Sequence, residues 1–342
     1  MKKVFAIVLC ICMLAVMAAC SGGANGSEYK LGMGVALNMD SSAENNAQVD
    51  ATVAAVVTDK DGKIVSCRID VAQSKMDVTG GAVDTAATFE TKMELGSRYG
   101  MEGKVDNNGD GVMLEWDAQA KAFEEYVVGK TADEVKAFET QEVNGEQIAV
   151  AEDLLKAGCS MQITDFMKAV AAACNDEQGM SFKAGEFTLG VAANTSAADS
   201  TAATADEDGL VAMYTDFSAA VVSDGKIVAA LNDAVQPKIT IDANGAIVST
   251  EYKDTKRNLK SEYGMEGKVD NDGDGVMKEW FEQSEAFSKF IVGKTADEVS
   301  ALETQDANGH QIAADKDLLS AGCSMQITSM KDTSAKAAKN AR

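Results

Sequence analysis

A single histidine, His310, serves the whole chain of 342 residues. Nucleophile systems of the Ser/His/Asp or Cys/His kind need an imidazole to take the proton, so none of them can be present in duplicate. Basic charge is scarce too, with 31 Lys and Arg against 54 Asp and Glu and a formal net charge of −23. A polyanion would be repelled and gain no counterion release, which excludes nucleic acid and leaves divalent cations, basic partners or plain solubility. No CxxC or Cys/His spacing suits zinc, and neither a phosphate loop with its Lys nor a dinucleotide fingerprint occurs. Acid pairs are abundant, but a chain this acidic produces them by composition alone. Enzyme chemistry therefore has no motif to rest on. Beyond the first 20 residues no apolar run is long enough to span a bilayer.

What is present begins with a leader. Lys2 and Lys3 precede an apolar run over residues 4–19, too short for a spanning helix and followed by small residues, which reads as an export signal. Met17-Ala18-Ala19-Cys20 resembles the lipobox of bacterial lipoproteins, in which the Cys is lipidated and becomes the mature N-terminus. That resemblance implies an extracytoplasmic protein held to the cell membrane through Cys20, with residues 1–20 as signal. The small, polar stretch over residues 21–29 suits a flexible tether.

The rest of the chain states one pattern twice. Residues 99–164 recur as 263–328 with 47 of 66 positions identical and no gap. Two repeat domains follow, 30–178 and 179–342, each large enough for its own core. Four cysteines lie beyond the anchor. Cys159 and Cys323 are equivalent, so neither has a repeated partner, and both read as small buried residues in a short strand over 159–163 and its copy. Cys67 and Cys174 belong to the first repeat alone and are the one pair open to a bridge. His310 replaces Glu146 of the first repeat beside an Asn-Gly turn and reads as a solvent-facing variant.

The period of apolar residues predicts an α+β fold, two tandem copies of a small antiparallel sheet packed against helices. Residues 53–57 and 63–69 flank the turn Asp59-Lys60-Asp61-Gly62, and Ser223-Asp224-Gly225 turns the matching hairpin. A second hairpin is expected around Asn244-Gly245, with Thr79-Gly80-Gly81 turning its counterpart. Thr91 with Glu94 forms a capping box. Met113, Trp116, Ala120, Phe123 and Val127 recur at helical spacing, and Met277, Trp280, Ser284, Phe287 and Ile291 repeat the stripe, which reads as core. Gly129 and Gly293 end these helices, and Thr131 and Thr295 with Glu134 and Glu298 cap the next. A helix over 164–174 closes the first repeat. Its counterpart, 329–342, is rich in Ala and Lys and is expected to fray.

Between these elements lies an acidic loop. Asp106, Asn108 and Asp110, repeated as Asp270, Asp272 and Asp274, follow the DxDxDG pattern in which alternate oxygens converge on a cation and Gly allows the sharp turn. Every ligand is a hard oxygen, so calcium is the natural ion, with Glu115 and Glu279 at the tenth position closing the sphere. The same residues also suit an Asp/Asn/Gly turn that merely caps the following helix.

The DGKI turns (Asp61-Gly62-Lys63-Ile64 and Asp224-Gly225-Lys226-Ile227) and the late stretches Asp153 to Ser160 and Asp317 to Ser324 distantly resemble the FMN-binding domains of exported bacterial lipoproteins. In that family an Asp, two residues and Ser/Thr-Gly-Ala-Thr precede a helix, and the last hydroxyl can carry flavin mononucleotide. Here the order of Gly, small residue and hydroxyl stands in Gly158-Cys159-Ser160 and Gly322-Cys323-Ser324, the Asp sits one residue further away, and Ala157 and Ala321 replace the first hydroxyl. The resemblance implies Ser160 and Ser324 as attachment sites and redox chemistry supplied by the flavin. Three functions stay open: a ligand-binding surface module with calcium loops, a flavin-carrying electron-transfer lipoprotein, and a structural or adhesive surface protein. The protein or small-molecule ligand is not named by the sequence.

Overall fold

The computed structural model describes residues 26–342 except 105, 106, 108, 110, 112, 269, 270, 274 and 276. The expected signal, Cys20 and most of the tether lie outside the described residues, as do Asp106, Asn108, Asp110, Asp270 and Asp274. The first repeat runs β1 (Ser27–Asn38), β2 (Asn46–Thr58), β3 (Ile64–Asp77), α1 (Lys92–Leu95), α2 (Trp116–Tyr126), α3 (Ala132–Lys136), β4 (Thr140–Val143), β5 (Glu146–Ala149), α4 (Glu152–Lys156) and α5 (Thr164–Cys174). The second runs β6 (Met180–Ala184), β7 (Thr188–Ser196), β8 (Gly209–Val211), β9 (Tyr214–Ser223), β10 (Lys226–Val235), β11 (Lys238–Ile241), β12 (Ile247–Glu251), α6 (Lys256–Leu259), α7 (Trp280–Phe290), α8 (Ala296–Ser300), β13 (Thr304–Ala307), β14 (His310–Ala313), α9 (Lys316–Ser320) and α10 (Thr328–Lys339). The fold is α+β.

Antiparallel sheets form in the orders β3-β2-β1-β6 and β10-β9-β7, with a small third sheet β12-β11-β8. Strand β6, from beyond residue 178, pairs with β1 and so adds an edge strand to the first repeat's sheet. The two main sheets then pack face to face. Their shared core holds Val53, Ala55 and Val57 of β2 against Phe217, Ala219 and Val221 of β9. The alternate residues Ala54 and Val56 turn the other way, toward Trp116, Phe123 and Phe166 of the helices. A strand covered on both faces needs an unbroken apolar run, which is what residues 53–57 supply. The result is four layers, helices, sheet, sheet, helices.

Close approach of helix to sheet depends on missing side chains. A Cβ on Gly32 or Gly34 of β1 would collide with the backbone oxygens of Ala173 or Ala169 in α5, and one on Gly190 of β7 with Ala337 of α10.

Several expectations are corrected. Residues 159–163 are irregular backbone, not a strand, because Gln119 takes the amides that a ladder would need. Thr79–Gly81 forms one 3-10 turn and no second hairpin, and the first repeat instead receives β11 and β12 of the second against Ala47, Val49, Met76 and Val78. The last helix does not fray: α10 buries Met330, Thr333, Ser334, Ala335, Ala337 and Ala338 against β7 and β9. Cys67 and Cys174 are free thiols, as are Cys159 and Cys323. Burial pushes the last two up to about 12, so they stay protonated and inert at neutral pH.

Candidate functional site

Each repeat folds its acidic loop, its Gly-Cys-Ser segment and the start of its long helix into one assembly. Gln119 organises the first. Its Oε1 accepts from the amides of Ser160 (2.9 Å) and Met161 (3.0 Å), and its Nε2 donates to Leu114 O (2.8 Å). Gln283 repeats this with Ser324 (2.9 Å), Met325 (2.8 Å) and Lys278 O (2.8 Å). Both amides are fully buried and satisfied. Sequence reading passed over them; the signal was a Gln three residues after Trp on an otherwise apolar helix face. The loop is pinned to the same segment, since Asn107 Nδ2 donates to Ser160 O and Asn271 Nδ2 to Ser324 O, each at 3.1 Å.

The residues expected to close a cation sphere have other work here. Glu115 caps α2 and folds the loop back, its carboxylate accepting from the amides of Met101 (2.9 and 3.0 Å), Trp116 (3.1 Å) and Glu102 (3.3 Å). Burial pushes this carboxyl up, but those donors outweigh it and hold it below the usual carboxylate range. Glu279 accepts from Met265 N (2.9 Å) within a capping box shared with Glu282. Asp272 is half-buried on its loop. Among the described residues no group of three or more His, Cys, Asp and Glu surrounds one point. The hydroxyls implied as flavin sites lie inside the protein, Ser160 being 1 % and Ser324 3 % exposed, and neither is among the residues that line the clefts described below. Covalent flavin attachment does not fit them as they stand.

What the assembly does build is a cleft. In the second repeat a cavity of about 930 Å³ lies between α6, α7, the β13–β14 turn and the start of α10. Its wall carries Trp280 and Tyr263, with Lys256 Nζ 5.3 Å and 5.1 Å from their ring centroids and Lys268 Nζ 5.4 Å from Tyr263. The first repeat has the same stack, Lys92 over Trp116 (5.7 Å) and Tyr99 (4.9 Å) and Lys104 over Tyr99 (5.3 Å). Such distances give an ammonium a real attraction to the ring face. The only two tryptophans of the chain are therefore at equivalent places in two clefts, 2 % and 5 % exposed. The stripe read as core is core on one side and cleft wall at its first two residues, Met113 and Trp116 or Met277 and Trp280.

Buried carboxylates hold the cleft lysines in place. Asp70 Oδ1 accepts from Val71 N (2.7 Å) and Met93 N (3.2 Å), and Asp233 Oδ1 from Ala234 N (2.8 Å) and Arg257 N (3.0 Å). Each thereby fixes the short helix that carries Lys92 or Lys256. Burial pushes both carboxyls up to about 6, against the pull of hydrogen bonds from Thr91 and Met93 on one and of Arg257 on the other. Nothing in the sequence marks these two among 54 acidic residues.

A cleft of several hundred Å³ with aromatic walls and a few fixed polar groups is the usual form of a small-molecule site. No family model, curated protein or solved structure matches the chain.

Proposed function

We propose that the chain is a lipid-anchored, extracytoplasmic, tandem ligand-binding module, each repeat offering its Trp/Tyr/Lys cleft to an aromatic small molecule. The observation that carries this reading is the duplicated stack of two lysines on a Tyr/Trp pair, one lysine over both rings and the other over the tyrosine, facing a cavity of about 930 Å³ in the second repeat. The second reading, a flavin-carrying electron-transfer lipoprotein, is favoured by the same stack, because an isoalloxazine is planar and its phosphate would meet Lys256 or Lys268. The flavin would supply the redox chemistry, and these residues would bind and orient it without a covalent bond. Flavin mononucleotide is therefore the first probe. Titrating it into the full chain should quench tryptophan fluorescence saturably, and Tyr263→Ala with Tyr99→Ala should weaken the effect roughly tenfold, the loss of a stacking contact of about 1–2 kcal/mol. Unchanged fluorescence at millimolar probe would end the flavin reading.

Two further proposals rest on sequence. Cys20 holds the chain to the membrane, so Cys20→Ala should move it from the membrane fraction to the medium, where a stable anchor no longer retains it. The acidic loops bind calcium through Asp106, Asn108 and Asp110 and through Asp270, Asp272 and Asp274. Because Asn107 and Asn271 tie those loops to the cleft segment, bound calcium would stiffen the cleft floor. Calcium at a hundredfold excess over Kd should add about 2.7 kcal/mol of stability and raise the melting temperature by several degrees. Asp106→Ala with Asp270→Ala should remove that shift. Equal melting curves in chelator and calcium would reduce both loops to turns.

A further inference from the structure

A second cavity, of about 450 Å³, lies between α7, β10, the short helix α6 and the link that joins the repeats, and shares no lining residue with the Trp/Tyr cleft. Its wall is where α7 departs from α2. Toward the core, Trp280, Gln283, Ala286 and Phe287 are identical to their counterparts. The five α7 residues that line this cavity, Phe281, Ser284, Glu285, Ser288 and Lys289, all differ from Asp117, Ala120, Lys121, Glu124 and Glu125.

In the first repeat the corresponding place is filled by charge. Glu124 is buried, accepts from Ile69 N on the edge strand β3 at 2.8 Å, and is met by Arg68 at 3.3 Å and Arg342 at 3.6 Å. The second repeat carries Ser288, Leu231 and Gln178 at those positions, so all three charges are gone together. The charges that remain around the space are paired: Arg257 with Asp176, Glu285 with Lys289 and Glu177 with Lys260.

Neutral polar groups stand in their stead. Asn232 takes the register position of Ile69, and Ser218, Ser284 and Ser334 those of Ala54, Ala120 and Val170. Asn232 Oδ1 accepts from Ser218 Oγ (2.6 Å) and Ser334 Oγ (2.7 Å), its Nδ2 donates to Ser288 Oγ (3.0 Å), and its backbone O accepts from Ser284 Oγ (2.9 Å). All of these side chains are buried. A hydroxyl or amide held out of water costs free energy unless it is paired, so each change depends on the others and surface drift does not produce them. The network is incomplete on the cavity side. Among the described residues nothing accepts the Ser288 proton or the second Nδ2 proton of Asn232, and the Asn232 amide has no side-chain acceptor in the place of Glu124.

We propose that this cavity binds a neutral, hydroxyl-bearing ring, a sugar. Its oxygens accept from Ser288 and Asn232, and its C–H face lies on Phe281, a half-buried aromatic where the first repeat has Asp117. A charged ligand would bring its charge into a site that offers no unpaired countercharge. The volume is within the usual range for a small-molecule site.

Calorimetric titration of the full chain tests this with glucose and N-acetylglucosamine as neutral probes and glucuronate and glucosamine as their charged counterparts. The expected result is one molecule of at least one neutral sugar bound per chain at a millimolar Kd or below, with its charged counterpart at least about tenfold weaker. The methyl glycoside of the neutral sugar separates two sources of the same chemistry: retained affinity assigns the site to the end of a glycan, lost affinity to a free sugar, and both keep the sugar site. Leu231→Arg with Ser288→Glu restores the first repeat's pair and should abolish binding. Phe281→Asp should weaken it about tenfold, and Phe281→Tyr, which keeps a ring face, should leave it within about twofold. Phe281 is half-buried and its counterpart is Asp117, so Phe281→Asp folds even where the double variant does not. Absence of binding by both neutral probes at millimolar concentration, equal affinity for the charged counterparts, or binding that Phe281→Asp leaves unmoved would overturn the proposal. None of these outcomes bears on the Trp/Tyr cleft, whose own test uses other residues.

Discussion

Asp176→Ala is expected to lower the unfolding free energy by about 3–5 kcal/mol, the cost of breaking a buried ion pair by removing one partner. Asp176 sits in the short link between the repeats and accepts from Arg257 Nη1 at 3.1 Å, Arg257 Nη2 at 3.4 Å and Met33 N at 3.0 Å. Arg257 Nη2 also donates to Gln178 O (2.9 Å), and Gln178 Nε2 returns a bond to Arg257 O (3.0 Å). Both charged side chains are buried. Removing the carboxylate strands a guanidinium out of water, whereas removing both charges does not. The first repeat shows the apolar alternative, because Met93 stands where the second has Arg257. Asp176→Ala with Arg257→Met should therefore recover most of the loss in urea denaturation. A single-variant loss under about 1 kcal/mol would class the pair with exposed surface bridges and overturn this expectation.

The buried aspartates should make stability depend on pH in an unusual direction. Each folded carboxyl titrates at about 6 and its unfolded counterpart near the ordinary 3.8. Below the unfolded value both states hold the proton and the contribution of these groups is complete. Between 3.8 and about 6 the unfolded chain ionises while the folded one keeps its proton, so stability falls over that interval and the loss is complete once pH has passed the folded value. A difference of about two pH units corresponds to about 3 kcal/mol per site. Asp70→Asn and Asp233→Asn keep an acceptor for the helix amide and remove the charge. Measured against wild type, each should improve by about that amount between pH 4 and pH 8. A constant difference across that range would mean that neither carboxyl is shifted. The same titration bears on function, since these side chains seat the helices that carry Lys92 and Lys256.

The sequence by itself determined what repeats and local chemistry can determine. Duplication at a spacing of 164, the hairpin around Asp61-Gly62, the capping boxes at Thr91, Thr131 and Thr295 and the amphipathic helices from Trp116 and Trp280 are all short-range patterns, and all are found in the fold. Tertiary structure alone decided the rest. Strand β6 crosses to the other repeat's sheet because an unpaired edge accepts any chain of the right length, and no periodicity records which edge it joins. The last helix holds because alanines and serines fit closely over Gly190, a match between surfaces that composition reads only as weak helix. The cleft joins Lys256, Trp280, Asn271, His310 and Ser329, which lie up to 73 positions apart in sequence. A buried Asp and an exposed one are the same letter. Only the surrounding protein, by excluding water from Asp70 and Asp233, makes them different groups.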